Sequence, residues 1–114
     1  MKIGSAAAVL IFMATPALSA ASKTDNGVTF TCALTGSGNS GFDIYAKNDG
    51  PSDKVCSASC KLTKSDGKTQ EWAYPKQGDP IKVSKASQKF WFGGEASVPG
   101  SPLSGPDVTK ASCR

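Results

Sequence analysis

Apolar and polar residues alternate along several stretches of the chain, which is typical of β-strands that bury one face. Residues 56–62 place cysteine, alanine, cysteine and leucine on one side of an extended chain, and serine and lysine on the other. Residues 28–34 and 42–47 alternate in the same way. The pattern predicts three strands, and it places both Cys56 and Cys60 on an inward face.

Turn signals and shorter apolar segments predict further strands. Asp66-Gly67 is a strong hairpin signal, and it joins the strand at 56–62 to residues 68–74. Shorter candidate strands follow, and then a segment rich in glycine, proline and serine that we interpret as an ordered loop. The candidate strands are residues 81–83, 88–92 and 108–113, and the loop runs from Gly93 to Pro106.

The whole pattern predicts an all-β fold. No segment after residue 21 shows convincing helical spacing, and short strands separated by turn signals favour an antiparallel sandwich or barrel. About 94 residues form one domain, which is small enough that a hydrophobic core alone provides limited stability. Crosslinks would therefore help this domain to fold.

Four cysteines supply such crosslinks if they form two disulfides. Residues four apart on a strand are separated by about 13 Å, so Cys56 cannot pair with Cys60. Their partners must be Cys32 and Cys113, which leaves two connectivities. We favour Cys32–Cys56 with Cys60–Cys113, because alternating strand directions would bring the C-terminus toward the far end of the strand.

The first residues predict export. Residues 1–21 contain Lys2, an apolar run from Ala6 to Ala14 and small residues that suit a signal peptidase, with cleavage expected between Ser19 and Ala21. The run is shorter than the roughly 20 residues that cross a bilayer, so no membrane span is expected. Residues 22–114 are then a single secreted or periplasmic domain.

The predicted strand in segment 41–55 is followed by an Asn-x-Gly turn and a proline, at Asn48, Gly50 and Pro51. This segment resembles bacterial immunoglobulin-like or CARDB-type modules, in which a strand ends in such a turn. The resemblance implies a β-sandwich used for adhesion, assembly or ligand presentation. Together with the cysteines it predicts an antiparallel immunoglobulin-like β-sandwich with two disulfides.

The chain contains no histidine, and this excludes several kinds of catalytic site. Histidine is needed in the usual serine-histidine and cysteine-histidine nucleophile systems and in the common catalytic zinc sites. The carboxylates fall mostly at turns or on predicted solvent faces, and the segment from Asn48 to Asp53 is better interpreted as an Asx-type turn than as a calcium loop. We expect no catalytic residue, no metal and no cofactor.

The net charge of +4 comes mainly from scattered lysines. Lysines on strand faces discourage edge-to-edge pairing, and no arginine-rich or aromatic module for nucleic acids is present. Specific nucleic-acid binding is therefore not expected.

Aromatic residues provide the candidate binding surface, formed by Trp91, Trp72 and Tyr74. The alternative is that these rings belong to the core, which we favour for Trp72 and leave open for Trp91. Strict alternation would place Phe90 and Phe92 on one face and Trp91 on the other, where it could contact a ligand. The sequence thus predicts a noncatalytic binding or envelope-associated module whose ligand is a protein or a glycan. The alternatives are a secreted inhibitor that presents the loop from Gly93 to Pro106 and a small carboxylate-based hydrolase.

Overall fold

The computed structural model describes residues 19–75, 79–96 and 100–114. Within these ranges the chain forms eight β-strands and one short 3-10 helix, which confirms the predicted all-β class. The strands are β1 (Ala20–Asp25), β2 (Val28–Thr35), β3 (Gly41–Asn48), β4 (Lys54–Thr63), β5 (Thr69–Tyr74), β6 (Ile81–Val83), β7 (Ser87–Glu95) and β8 (Ser104–Cys113), and the 3-10 helix is Ser37–Asn39.

The strands form two antiparallel sheets. The first sheet has the order β1-β2-β3-β7, so β1 and β7 are its edge strands. The second sheet is centred on β4, which pairs with β5, β6 and β8. Strand β8 pairs along one edge of β4. The stretches of β4 that pair with β5 and with β6 overlap the stretch that pairs with β8, so β5 and β6 must both lie along the opposite edge.

The core lies between the inward faces of the two sheets. The alternation predicted for β4 is confirmed, since Cys56, Ala58, Cys60 and Leu62 are all buried. The alternating residues of β2 as far as Cys32 and those of β3 are buried in the same way, while Leu34 is half-buried. The largest fully buried side chains include Phe30, Phe42, Ile44, Leu62 and Leu103.

Both disulfides form, but the favoured connectivity is wrong. Cys32 is bonded to Cys60, with a Cα–Cα distance of 6.4 Å, and this bond joins β2 of the first sheet to β4 of the second. Cys56 is bonded to Cys113, with Cα atoms 4.2 Å apart. The reason is strand direction: β8 runs antiparallel to β4, so the end of β8 lies beside the beginning of β4.

The predicted turn at Asp66-Gly67 is confirmed. It connects β4 to β5, the backbone N–H of Lys68 donates to the Asp66 carboxylate at 2.9 Å, and Gly67 has a φ of 86°. The pattern analysis missed a second hairpin, between β1 and β2. Its two turn residues, Asn26 and Gly27, have φ values of 52° and 85°, as a type I′ turn requires.

The predicted loop from Gly93 to Pro106 is wrong at both ends. Strand β7 continues through Glu95, and β8 begins at Ser104. Gly93 lies inside β7, and a glycine fits there because the chain passes very close to β3. A Cβ atom at Gly93 would lie 2.6 Å from both the Asp43 carboxylate and the carbonyl oxygen of Phe42. The inhibitor alternative is left with a shorter loop, of which residues 97–99 lie outside the described ranges.

The Asx-type turn predicted after β3 is confirmed. The fully buried Asn48 side chain accepts a hydrogen bond from the N–H of Gly50 at 2.9 Å. Its amide group donates to the carbonyl oxygens of Ser52 and Val83, at 3.0 and 3.1 Å. The motif that carries the resemblance therefore also ties β3 to β6.

Most of the predicted signal segment, residues 1–18, lies outside the described residues. At its predicted end, the carbonyl oxygen of Ser19 accepts a hydrogen bond from the N–H of Leu34 at 2.8 Å, and β1 begins at Ala20. Cleavage after Ser19 would leave β1 whole, whereas cleavage after Ala21 would remove its first two residues. Cleavage between Ser19 and Ala21 stays a prediction.

Candidate binding groove along strand β7

A β-bulge in β7 decides where its aromatic residues point. Ile44 of β3 lies opposite Phe92 and the next residue, Tyr45, lies opposite Phe90, so Trp91 is an extra residue without a partner in the register. The predicted faces are consequently wrong. Trp91 is only 5% exposed and its ring packs against Phe30 at 5.3 Å, whereas Phe90 is 53% exposed.

The other two members of the candidate surface occupy different environments. Trp72 is half-buried and packs against the core ring of Phe42 at 4.8 Å. Tyr74 is 37% exposed, and its ring lies 5.6 Å from Trp91 and 5.4 Å from Phe92. The indole N–H of Trp91 donates to the carbonyl oxygen of Tyr74 at 3.2 Å. The structure thus joins Tyr74 and Trp91, while Trp72 supports the core behind them.

Tyr74 and Trp91 line an open groove with a volume of about 730 Å³. Its wall includes six consecutive residues of β7, from Phe90 to Glu95. Such a run can line a groove only if the strand backbone itself forms part of the wall, because consecutive side chains point to opposite faces. The remaining lining residues are Thr35, Gly36, Ser37, Ser40, Gly41, Asp43 and Tyr74.

The charged side chains among these lining residues are both acidic. They are Asp43 and Glu95, and no lysine or arginine lines the groove in the described part of the chain. The Tyr45 hydroxyl donates to the Asp43 carboxylate at 3.4 Å, which holds that carboxylate on the outer face of the first sheet. A groove of negative charge in a chain of net charge +4 is a local feature that the overall composition does not predict.

Phe90 was missed as a candidate site residue. On the outer face its ring packs edge-on against Tyr45 at 5.9 Å, and both rings are exposed. The signal that could have found it is the Gly-Gly pair that follows Phe92, because glycine inside a strand often marks a bulge or a close approach of two backbones.

Asp53 holds the chain just before β7. Its carboxylate accepts a hydrogen bond from the backbone N–H of Lys85 at 2.9 Å and lies 3.7 Å from the Lys82 ammonium. The backbone hydrogen bond, aided by the two lysine charges, lowers the pKa of Asp53 below its ordinary value of 3.8. This contact fixes the turn between β6 and β7.

A second polar cluster lies on the second sheet, away from the groove. The buried Ser59 hydroxyl is 2.7 Å from the Thr109 hydroxyl and donates to Glu71 at 3.3 Å, and Thr109 also donates to Glu71. The cluster joins the neighbouring strands β5, β4 and β8. Its hydrogen bonds satisfy a buried serine, which is a structural role.

The described ranges contain no group of three or more His, Cys, Asp or Glu side chains that could hold a metal ion. They also contain no helix that is long and apolar enough to span a membrane. Comparisons with protein families, with curated proteins and with solved structures give no match to this chain.

Proposed function

We propose that this protein is an exported, noncatalytic binding module and that the groove along β7 is its ligand site. The observation that carries the proposal is the groove itself, which is lined by the exposed rings of Tyr74 and Phe90 and by two carboxylates. Aromatic rings with a few convergent polar groups are the usual composition of a binding site. The core aromatic Trp91 supports the site from behind.

Two disulfides indicate an oxidising environment, which agrees with a secreted or periplasmic location. We also propose that the fold is an immunoglobulin-like β-sandwich. It is supported by two antiparallel sheets over a shared core, by the disulfide from β2 to β4 and by the turn at Asn48. Modules of this kind hold a binding surface on a rigid scaffold.

The proposal is tested by titrating the oxidised protein with peptide and glycan collections and repeating the titration with Tyr74→Ala and Phe90→Ala. Exposed aromatics supply much of the energy of a contact but little of the folding energy, so both variants should fold and bind more weakly. Ile81→Ala is a matched control, since it truncates a half-buried side chain of β6 outside the groove. Ligands that bind all three variants as tightly as the parent protein would contradict the proposed site.

The carboxylate-based hydrolase is the second candidate, because Asp43 and Glu95 line the same groove. Gly93 lies opposite Asp43, so Glu95 is the diagonal neighbour of Asp43, and the Cα atoms of such neighbours are about 7–8 Å apart. From this spacing the two side chains can place their carboxyl groups about 5–9 Å apart, as glycoside hydrolysis requires. Glu95 is exposed, however, whereas the general acid of these enzymes is normally held out of water. Release of reducing sugar by the parent protein, lost in Glu95→Gln, would favour the hydrolase over the binding module.

A further inference from the structure

In the part of the chain that the structure describes, one edge of the β7 backbone has no partner strand, and this edge lies at the groove. Within the described residues β7 pairs with β3 alone. The N–H of Ala96 donates to the carbonyl oxygen of Ser40 at 2.8 Å, which places Ser40 and Ala96 at a hydrogen-bonding position of the ladder between β3 and β7. Because such positions alternate in an antiparallel ladder, the N–H and C=O groups of Gly93 and Glu95 point away from β3, toward the free edge.

Little side-chain bulk covers this edge. Gly93 and Gly94 carry no side chains, and they lie in the middle of the run of β7 residues that lines the groove. An extended peptide could use the main-chain groups of this edge directly. Addition of a peptide strand to an exposed sheet edge is an established mode of recognition.

The outer and inner faces of the sheet differ in chemistry beside this edge, and the difference predicts which residues of a bound peptide would alternate. On the outer face the Asp43 and Glu95 carboxylates flank the position of Gly93. On the inner face the exposed part of Tyr74 lies beside Phe92. Since successive side chains of a strand point to opposite faces, basic residues would meet the carboxylates and apolar residues would meet the rings.

We propose that the partner is an extended segment of another protein that adds as a strand beside β7, with basic residues on its outer face and apolar residues on its inner face. This inference rests on the groove being the ligand site. Main-chain hydrogen bonds to Gly93 and Glu95 supply affinity, and the charge pattern supplies selectivity.

The test uses short synthetic peptides that alternate lysine with valine, compared with peptides that alternate glutamate with valine. The lysine peptide should bind and the glutamate peptide should not. Two further lysine peptides carry N-methyl groups, either on every lysine or on every valine. Only one of these sets of N–H groups can face β7, so one methylated peptide should lose binding and the other should keep it. Equal binding of both methylated peptides would overturn the inference.

Amide hydrogen exchange locates the added strand. The lysine peptide should slow exchange at Gly93 and Glu95, and unchanged exchange at both residues in the bound state would overturn the inference. Glu95→Gln should weaken peptide binding about two- to fivefold, as expected for an exposed charge pair, while Asp107→Asn on β8 serves as the matched control and should change nothing. Equal affinity in these two variants would contradict the assigned contact.

Other outcomes separate this inference from the proposed function. Binding of an N-acetylglucosamine oligomer, weakened by Tyr74→Ala, in place of peptide binding would leave the groove as the ligand site and overturn the peptide inference. A dimer of the protein that excludes the lysine peptide from β7 would also overturn it, since the edge would then pair with a second copy. Peptide binding unaffected by Tyr74→Ala, Phe90→Ala and Glu95→Gln would contradict both proposals.

Discussion

Hydrophobic alternation predicts the side-chain faces of strand β4 correctly and those of strand β7 incorrectly. In β4 the side chains alternate as the sequence predicts, and four inward residues reach the core. In β7 the bulge at Trp91 resets the alternation, so that Trp91 and Phe92 both pack inward and Phe90 is left outside. The central strand is held by partners on both edges, whereas the edge strand can bulge and keep one edge open.

The largest expected effect separates the aromatics of β7. Trp91→Ala should lower the free energy of unfolding by about 3–5 kcal/mol, because it empties a core position against Phe30. Phe90→Ala should cost less than about 1 kcal/mol, since the ring is mostly exposed. Denaturant unfolding of both variants measures the difference. Equal losses of unfolding free energy in the two variants would contradict a bulge that buries Trp91 and exposes Phe90.

The disulfides offer the next largest effect. Replacing Cys32 and Cys60 together by alanine should cost about 2–4 kcal/mol through loss of the crosslink between sheets. A proteolytic map of the oxidised protein should contain the Cys32–Cys60 and Cys56–Cys113 peptides. Recovery of a peptide that links Cys32 to Cys56 would contradict the antiparallel register of β4 and β8.

A third effect tests the close approach of β7 and β3. Gly93→Ala should destabilise the protein by about 1–3 kcal/mol, because the new methyl group would overlap the Asp43 carboxylate and the Phe42 carbonyl oxygen. Gly67→Ala in the β4–β5 turn is the comparison, since there the added methyl group meets no atom within 4 Å but the φ of 86° is unfavourable for alanine. Thermal melts that show the smaller loss for Gly93→Ala would contradict the predicted overlap.

The smallest effect concerns pH. Since folding lowers the pKa of Asp53, its contribution to stability is fully present above the unfolded-state value near 3.8 and is lost as the pH falls through the folded value. Asp53→Asn should therefore flatten the loss of stability below about pH 4 without affecting stability slopes near neutrality. Unfolding free energies measured from pH 2 to 7 check this. If Asp53→Asn loses stability at low pH as steeply as the parent protein, Asp53 does not contribute to the acid dependence.

The sequence predicts the fold class well because its signals are local. Alternation in β2, β3 and β4 and the turn at Asp66-Gly67 each depend on a few neighbouring residues. The turn signal at Asn26-Gly27 is equally local, but the strand before it, β1, is mostly polar on both faces. Its residues Ser22 and Thr24 form hydrogen bonds with hydroxyls of β2. A hydrophobic pattern cannot detect such a strand.

The candidate site depends on contacts between distant segments, and these are harder to predict. The disulfide pairing follows from the direction of β8, which no local pattern specifies. The bulge depends on the register of β7 against β3, and the groove brings Tyr74 of β5 beside residues of β7. Of the three predicted binding residues, Tyr74 and Trp91 line the groove and Trp72 does not. Phe90 was not predicted, and it lines the groove because the bulge turns its side chain outward.

Amide hydrogen exchange of the free protein measures directly whether β7 has an open edge beside the groove. We expect slow exchange at every amide from Ala58 to Leu62 in β4, because this strand has partners on both edges. In β7 we expect alternation, with slow exchange at Phe92 and Gly94 and fast exchange at Gly93 and Glu95. Uniformly slow exchange along β7 would show that its outer edge is already paired, and it would contradict the proposed site.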